Sequence, residues 1–174
     1  MEISGEVFEA ARSVSLLIMD CDGVLTDGRL FFSDKGEVMK AFHVRDGQGL
    51  SLWHSAGFAS GIISGRDSGG IIKSRADELG IQYIYSASRD KVADFEQIIE
   101  RSGCSPSQVA FIGDDIGDLD LMSHVRFPVA VADAIDDVKR AASYVTKLEG
   151  GKGAVRELID LLIYSKNLPS YPLK

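Results

Sequence analysis

Cysteine is scarce in this 174-residue chain, with Cys21 and Cys104 its only two, too few to build a disulfide framework. A chain of this length can bury a core large enough to fold without such staples. The pair suits a reducing cytosol, so a cytoplasmic location is expected. Neither residue opens the C-x-x-x-x-x-R loop of a cysteine-dependent phosphatase, because Asp27 and Ala110 stand at the sixth place after them. Positive charge is also in short supply: 19 Lys and Arg against 26 Asp and Glu leave a formal net charge of -7. That balance argues against a general nucleic-acid or membrane-surface binder, which would need a basic face. Residues 1–13 are acidic and amphipathic, which fits neither a secretory signal nor a spanning helix. Internal repeats, low-complexity tracts and interdomain linkers are missing too, so residues 1–174 are expected to form one domain. Of the histidines, His54 and His124 fall within helical patterns and lack metal-ligand spacing.

What the chain does have is alternation. Short apolar runs at 16–19, 59–63, 82–85 and 109–112 end in small or polar residues, and a fifth at 127–131 is interrupted by Pro128, which suits a place nearer an edge. Helical patterns lie over 47–56, 68–79, 91–102, 116–123 and 134–142, and a last amphipathic one over 154–164. Strand–helix alternation at this spacing predicts an α/β fold with a parallel sheet and helices on both faces. Such sheets hold ligands beyond the carboxyl ends of their strands. One stretch, 29–42, breaks the pattern and reads as a β-hairpin inserted after the first strand, turning at Ser33-Asp34-Lys35-Gly36. It spreads Leu30, Phe31, Phe32, Val38, Met39 and Phe42 over two faces of only two strands. A lone ribbon is marginal in water, so one face is expected to pack on the domain or on another subunit.

Chemistry gathers at the strand ends. Asp20-Cys21-Asp22-Gly23 closes the first apolar run, and the turn at Gly23 lets both acids project towards one crevice. Two such carboxylates repel each other, and a divalent cation is the usual remedy. Ser64 stands at the end of the second run beside Gly65. Asp90-Lys91 opens a helix, where a cation opposes the macrodipole. Gly113-Asp114-Asp115-Ile116-Gly117-Asp118 adds three carboxylates at another strand end. Singly, each feature has a structural explanation as an N-cap, a turn hydroxyl or a first-turn acid. Together they suit phosphoryl transfer: a carboxylate attacks phosphorus, oxygen-ligated magnesium offsets repulsion, a lysine and a hydroxyl hold the equatorial oxygens, and a second carboxylate moves the proton.

In this order the four motifs resemble those of the haloacid dehalogenase superfamily of phosphatases, over nearly the whole chain. The resemblance implies a Rossmann-like sheet with Asp20 as nucleophile, Asp22 as general acid/base, and Ser64 and Lys91 holding the transferring group. It also implies Mg2+ bound by the Asp20 carboxylate, the Asp22 backbone carbonyl and Asp114, with Asp115 and Asp118 orienting that shell or its waters. A cap domain has no room, since only the hairpin and a helix separate Gly23 from Ser64 and only a helix separates Lys91 from Gly113.

Capless members of this length are similar to the 3-deoxy-D-manno-octulosonate 8-phosphate phosphatases of lipopolysaccharide sugar biosynthesis. There the hairpin builds a ring-shaped homotetramer and a neighbour completes each site. The segment Ala41-Phe42-His43-Val44-Arg45-Asp46-Gly47-Gln48-Gly49 is similar to that family's substrate segment. By this resemblance the substrate meets Asp22, His43, Val44, Arg45, Asp46, Gly47, Arg66, Arg75 and Lys91. The glycine-rich stretch at 150–153, with Lys152 and Arg156, is expected to reach towards an active site and help close it. His43 and Ser51 depart from the usual Asn and Arg, which keeps phosphatases of nine-carbon keto-sugar acids such as N-acylneuraminate 9-phosphate open as an alternative. A non-catalytic oligomerisation domain of a sugar-nucleotide enzyme is a further alternative. Retention of Asp20, Asp22, Lys91 and Asp114 argues against it, because a scaffold has no use for so costly a charge cluster.

Overall fold

The computed structural model describes residues 4–66 and 70–168. All four residues of the first strand, Leu16–Met19 (β1), are buried. A strand with no polar face belongs in the middle of a sheet covered on both sides. That is where it sits, between Ala59–Ile63 (β4) and Val109–Gly113 (β6). Tyr83–Tyr85 (β5) lies outside β4, and Phe127–Ala130 (β7) and Tyr144–Val145 (β8) lie outside β6. The order is β5-β4-β1-β6-β7-β8, and every pairing is parallel. Pro128 is therefore one strand in from the edge, in keeping with the place nearer an edge expected for it, and the two residues of β8 take the rim.

Two helical layers cover the sheet. Gly5–Ser13 (α1), Val44–Ser55 (α2), Ile71–Leu79 (α3) and Ala154–Ser165 (α7) form one; Lys91–Ser102 (α4), Leu119–Met122 (α5) and Asp136–Ala141 (α6) form the other. The bounds follow from capping. Asp90 accepts hydrogen bonds from Val92 and Ala93 N–H at the start of α4, and Gly103 ends it in the left-handed region. The helix expected from 47 starts at Val44 instead, because the His43 ring accepts the Arg45 N–H at 3.3 Å and caps it. The pattern at 116–123 opens with a 3-10 turn, Ile116–Asp118, before α5, and the first residues of the expected 68–79 helix lie outside the described residues. His54 is structural, bonded to Ser60 Oγ at 2.7 Å and to the Leu79 carbonyl.

The inserted ribbon pairs Phe31–Ser33 (β2) with Gly36–Met39 (β3), turning where Gly36 takes φ +102°. Its packing is inverted relative to an ordinary amphipathic hairpin. Phe32, Val38 and Met39 are each more than half exposed, while Lys40, just after β3, is buried. The ribbon meets the domain through charge and leaves its apolar side chains outside.

One long-range bond fixes the helical layer beside the site. Gly153 at the start of α7 has no side chain with which to cap, and Asp46 of α2 does so instead, accepting the Arg156 N–H at 2.8 Å. Burial pushes the Asp46 pKa up against the bond from Arg156. Asp46→Ala should lower stability in urea unfolding by about 1–2 kcal/mol, and Asp46→Asn, which keeps an acceptor oxygen, by less.

Candidate active site

Register places the first acid. Asp20 follows β1 and donates its N–H to the Ile112 carbonyl at 3.0 Å, which sets its side chain at the end of β6 beside Gly113 and Asp114. Lys91, the first residue of α4, reaches across from the other helical layer. Its ammonium donates to Asp20 Oδ1 at 2.6 Å and to Asp118 Oδ1 at 2.7 Å. Asp118 is buried, and its second oxygen accepts the N–H groups of Asp114 and Asp115 at 2.9 and 3.2 Å. Asp118 thus shapes the loop that carries Asp114. Asp115 is exposed and caps the following 3-10 turn through the Ile116 N–H.

Three carboxylates converge here: Asp20, Asp114 and Asp118 each offer an oxygen within 4.8 Å of the others. Two glycines make the approach possible. Gly23 adopts φ +92°, and a Cβ on it would lie 2.0 Å from Asp114 Oδ2; one on Gly113 would lie 2.5 Å from Asp118 Oδ2. Crowding of like charge appears in the proton affinities. Burial, then the neighbouring charges of Asp20, Asp118 and Asp115, push the Asp114 pKa up to about 8. Asp20 is pushed up to about 6, burial outweighing the opposing Lys91 charge. Burial opposes the charge on Lys91, but the two carboxylates more than offset it and raise its pKa.

The remaining residues expected at the site fall into three groups. Ser64 is buried just past the end of β4, the strand next to β1, and its hydroxyl oxygen accepts the Arg66 N–H at 3.4 Å. Asp22 stands two residues after Asp20 but turns to a separate cluster: Oδ1 accepts from Lys40, and Oδ2 lies 3.5 Å from Arg66 Nε. Arg66 also reaches Glu37 of the ribbon at 3.6 Å. Lys40 and Glu37 were not foreseen in this role. The third group lies around the start of α2. Val44 and Arg45 are exposed there, and Asp46 is committed to α7. Arg75 packs under Phe42, its guanidinium 5.7 Å from the ring centre, and pairs with Glu78 at 2.8 Å. Gly47 leaves it that space, since a Cβ would lie 2.6 Å from the Arg75 guanidinium.

The glycine-rich stretch does reach the site end, but as packed backbone. Gly151 donates to the Val24 carbonyl at 2.9 Å, and a Cβ on Gly150 would fall 1.7 Å from the Gly23 carbonyl oxygen. It buttresses the loop that follows β1. Lys152 pairs with Glu149, and Arg156 lies along α7 towards Asp160 at 2.8 Å. Cys21, buried between the two acids, has its thiol pKa raised first by burial and then by Asp22 and Asp20, which keeps it protonated and inert.

Comparison with known proteins agrees with this geometry. A family model for haloacid dehalogenase-like hydrolases matches residues 65–158. The chain is 39% identical to the 3-deoxy-D-manno-octulosonate 8-phosphate phosphatase of Yersinia pestis over 95% of its own length and 88% of that protein's. A crystal structure of the Yersinia pestis phosphatase superposes with a TM-score of 0.92, covering 95% of this chain and 89% of that one. The phosphatase of Moraxella catarrhalis, solved in complex with magnesium, phosphate and 3-deoxy-D-manno-octulosonate (KDO), is 34% identical, superposes with a TM-score of 0.90, and matches over 95% of this chain and 94% of that one. A fold with its acids at the carboxyl edge of β1 and β6, matched at this identity over almost its whole length, belongs to the haloacid dehalogenase-like hydrolase family.

Proposed function

We propose that this chain hydrolyses 3-deoxy-D-manno-octulosonate 8-phosphate to the free keto-sugar acid and phosphate, through an aspartyl-phosphate on Asp20. The observation that carries the reading is the convergence of Asp20, Asp114 and Asp118, two of them bonded to the Lys91 ammonium, in a capless chain whose relatives are phosphatases of that sugar acid. Residues 1–174 act as one domain in this reading, because the strands of the main sheet share one core.

The donor set fits magnesium. It offers oxygens only, from carboxylates so crowded that Asp114 holds its proton up to about pH 8 without a cation. The Asp20 and Asp114 carboxylates and the Asp22 backbone carbonyl would hold the ion, and Asp118 would keep Asp114 in place. When bound, magnesium neutralises repulsion between the phosphate dianion and the attacking carboxylate.

The chain's own groups do the rest. Lys91 fixes Asp20 by one oxygen, and the other attacks phosphorus in line with the leaving oxygen. As the bond from phosphorus to the sugar oxygen breaks, Asp22 gives that oxygen its proton. A water then attacks the phosphorus of the aspartyl-phosphate, Asp22 takes the water's proton, and the bond to Asp20 breaks to release phosphate. Lys91 and the Ser64 hydroxyl hold the charge on the equatorial oxygens. Arg66, beside Asp22, would meet the carboxylate or the hydroxyls of the sugar acid.

A second copy of the chain is the partner that the ribbon suits, through the exposed Phe32, Val38 and Met39. We read the assembly as a homotetramer in the cytosol. Among the described residues, no helix is long and apolar enough to cross a membrane.

Asp20→Asn should abolish turnover of the sugar-acid phosphate with magnesium while leaving the melting temperature within a few degrees of wild type; turnover at the wild-type rate would remove Asp20 as nucleophile. Metal dependence should vary with pH. A carboxyl whose folded pKa is raised favours the fold when protonated, so metal-free protein loses stability as pH rises from about 4 through about 8. Thermal melts should therefore show magnesium raising the melting temperature more at pH 8 than at pH 5, and an equal gain at both would contradict the site. Light scattering should give four copies per particle, and a fully active monomer would exclude the assembly.

A further inference from the structure

The ribbon holds a group of charges that the mechanism above leaves without a task. Lys40 follows β3, and its side chain is wholly buried. Its ammonium donates to Asp22 Oδ1 and forms an ion pair with Glu37 Oε1 at 2.7 Å. Glu37 is nearly as buried, at 4% side-chain exposure. Arg66 closes the ring, with Nε 3.5 Å from Asp22 Oδ2 and a terminal nitrogen 3.6 Å from Glu37 Oε2. Two anions and two cations thus alternate around a loop drawn from three separate segments.

Stability does not account for the arrangement. Desolvating each ion costs several kcal/mol, and well-packed apolar residues in place of a buried pair are often neutral or stabilising. The ring does, however, orient the one group whose direction the chemistry depends on. The Asp22 oxygens are held differently. Oδ1 is engaged by Lys40, while Oδ2 is buried without a hydrogen-bond partner, Arg66 standing at ion-pair distance only.

Resting on the reading of Asp22 as the general acid/base, we infer that Lys40, seated by Glu37, is a positioning residue that locks Asp22 by Oδ1 and so leaves Oδ2 as the atom that exchanges the proton. In the first step Oδ2 gives its proton to the sugar oxygen as the phosphorus–oxygen bond breaks, and in the second it takes one from the attacking water. Loss of the lock lets the carboxylate turn, so that Oδ2 is no longer held in one direction and the proton is out of line.

The test separates proton delivery from general damage by changing the leaving group. A sugar alkoxide needs the proton; p-nitrophenolate leaves as a stable anion and does not. Lys40→Met should lower kcat for 3-deoxy-D-manno-octulosonate 8-phosphate by about a hundredfold, the scale of one acid–base contribution. It should keep the rapid-mixing burst of p-nitrophenolate within about threefold of wild type, and KM within the same range. Lys40→Arg should recover part of the loss, and adding Asp22→Asn to Lys40→Met should cost little more than Asp22→Asn alone. Glu37→Gln, a milder change should Lys40→Met fail to fold, should show the same selectivity at smaller size. An unchanged kcat, or equal slowing of both substrates, would overturn the role of Lys40. Failure of the wild type to cleave either ester would instead sink the phosphatase reading on which it stands.

Discussion

Repulsion between carboxylates at one edge of the sheet is the constraint around which the rest of this structure is arranged. Asp20, Asp114 and Asp118 bring oxygens within 4.8 Å of one another. At that separation two unit charges in a protein-like dielectric of about 20 repel by roughly 3–4 kcal/mol. One ammonium, Lys91, touches two of the three acids. Protons make up the difference in the bare protein, and a divalent cation does so more fully. Backbone choices follow from the same demand. Gly23 and Gly113 are the points at which any side chain would collide with an acid, and Gly150 and Gly151 let a second backbone segment press against the loop that holds Gly23.

Asp20 and Asp22 are two residues apart and live in different electrostatic settings. Asp20 shares its cation with Asp118 and sits among acids; Asp22 faces Lys40 and Arg66. Paired carboxylates in phosphoryl or glycosyl chemistry take distinct tasks when their surroundings diverge in this way. Strand alternation would set residues two apart on one face; the turn after β1, in which the Cys21 carbonyl accepts the Val24 and Leu25 N–H groups, breaks that pattern and leaves Asp20 by Lys91 and Asp22 by the ribbon. Cys21 between them is fully buried.

Much of this was legible in the residues because the signals are local. Short runs with no polar member, such as 16–19 and 109–112, read as central strands in an alternating pattern, and the acids that follow them, Asp20 and Asp114, mark the ligand edge. Asp90 and Gly103 bound α4 by capping chemistry, and that places Lys91. What escaped depends on contacts between distant segments. Asp46 reads as part of a substrate segment, yet it caps a helix 110 positions away. The strand β8 has two residues and no pattern of its own. Lys40 follows an exposed ribbon strand, where a lysine ordinarily marks a solvated edge, and only the inward fold of the ribbon buries it.

That inward fold links the ribbon's outer surface to the charges beneath it. A two-stranded ribbon is marginal alone, and this one turns its apolar side chains outward and its charges inward. Its position is set from inside by the ring of Asp22, Lys40, Glu37 and Arg66, and Phe32 lies 5.9 Å from the Arg66 guanidinium as a further tie. Covering Phe32, Val38 and Met39 with a second copy would hold the ribbon from outside as well. Because Lys40 grips the Asp22 carboxylate, whatever steadies the ribbon steadies that carboxylate. The exposed apolar patch and the buried lysine are then two ends of one device, and a ribbon built the ordinary way round would have served neither.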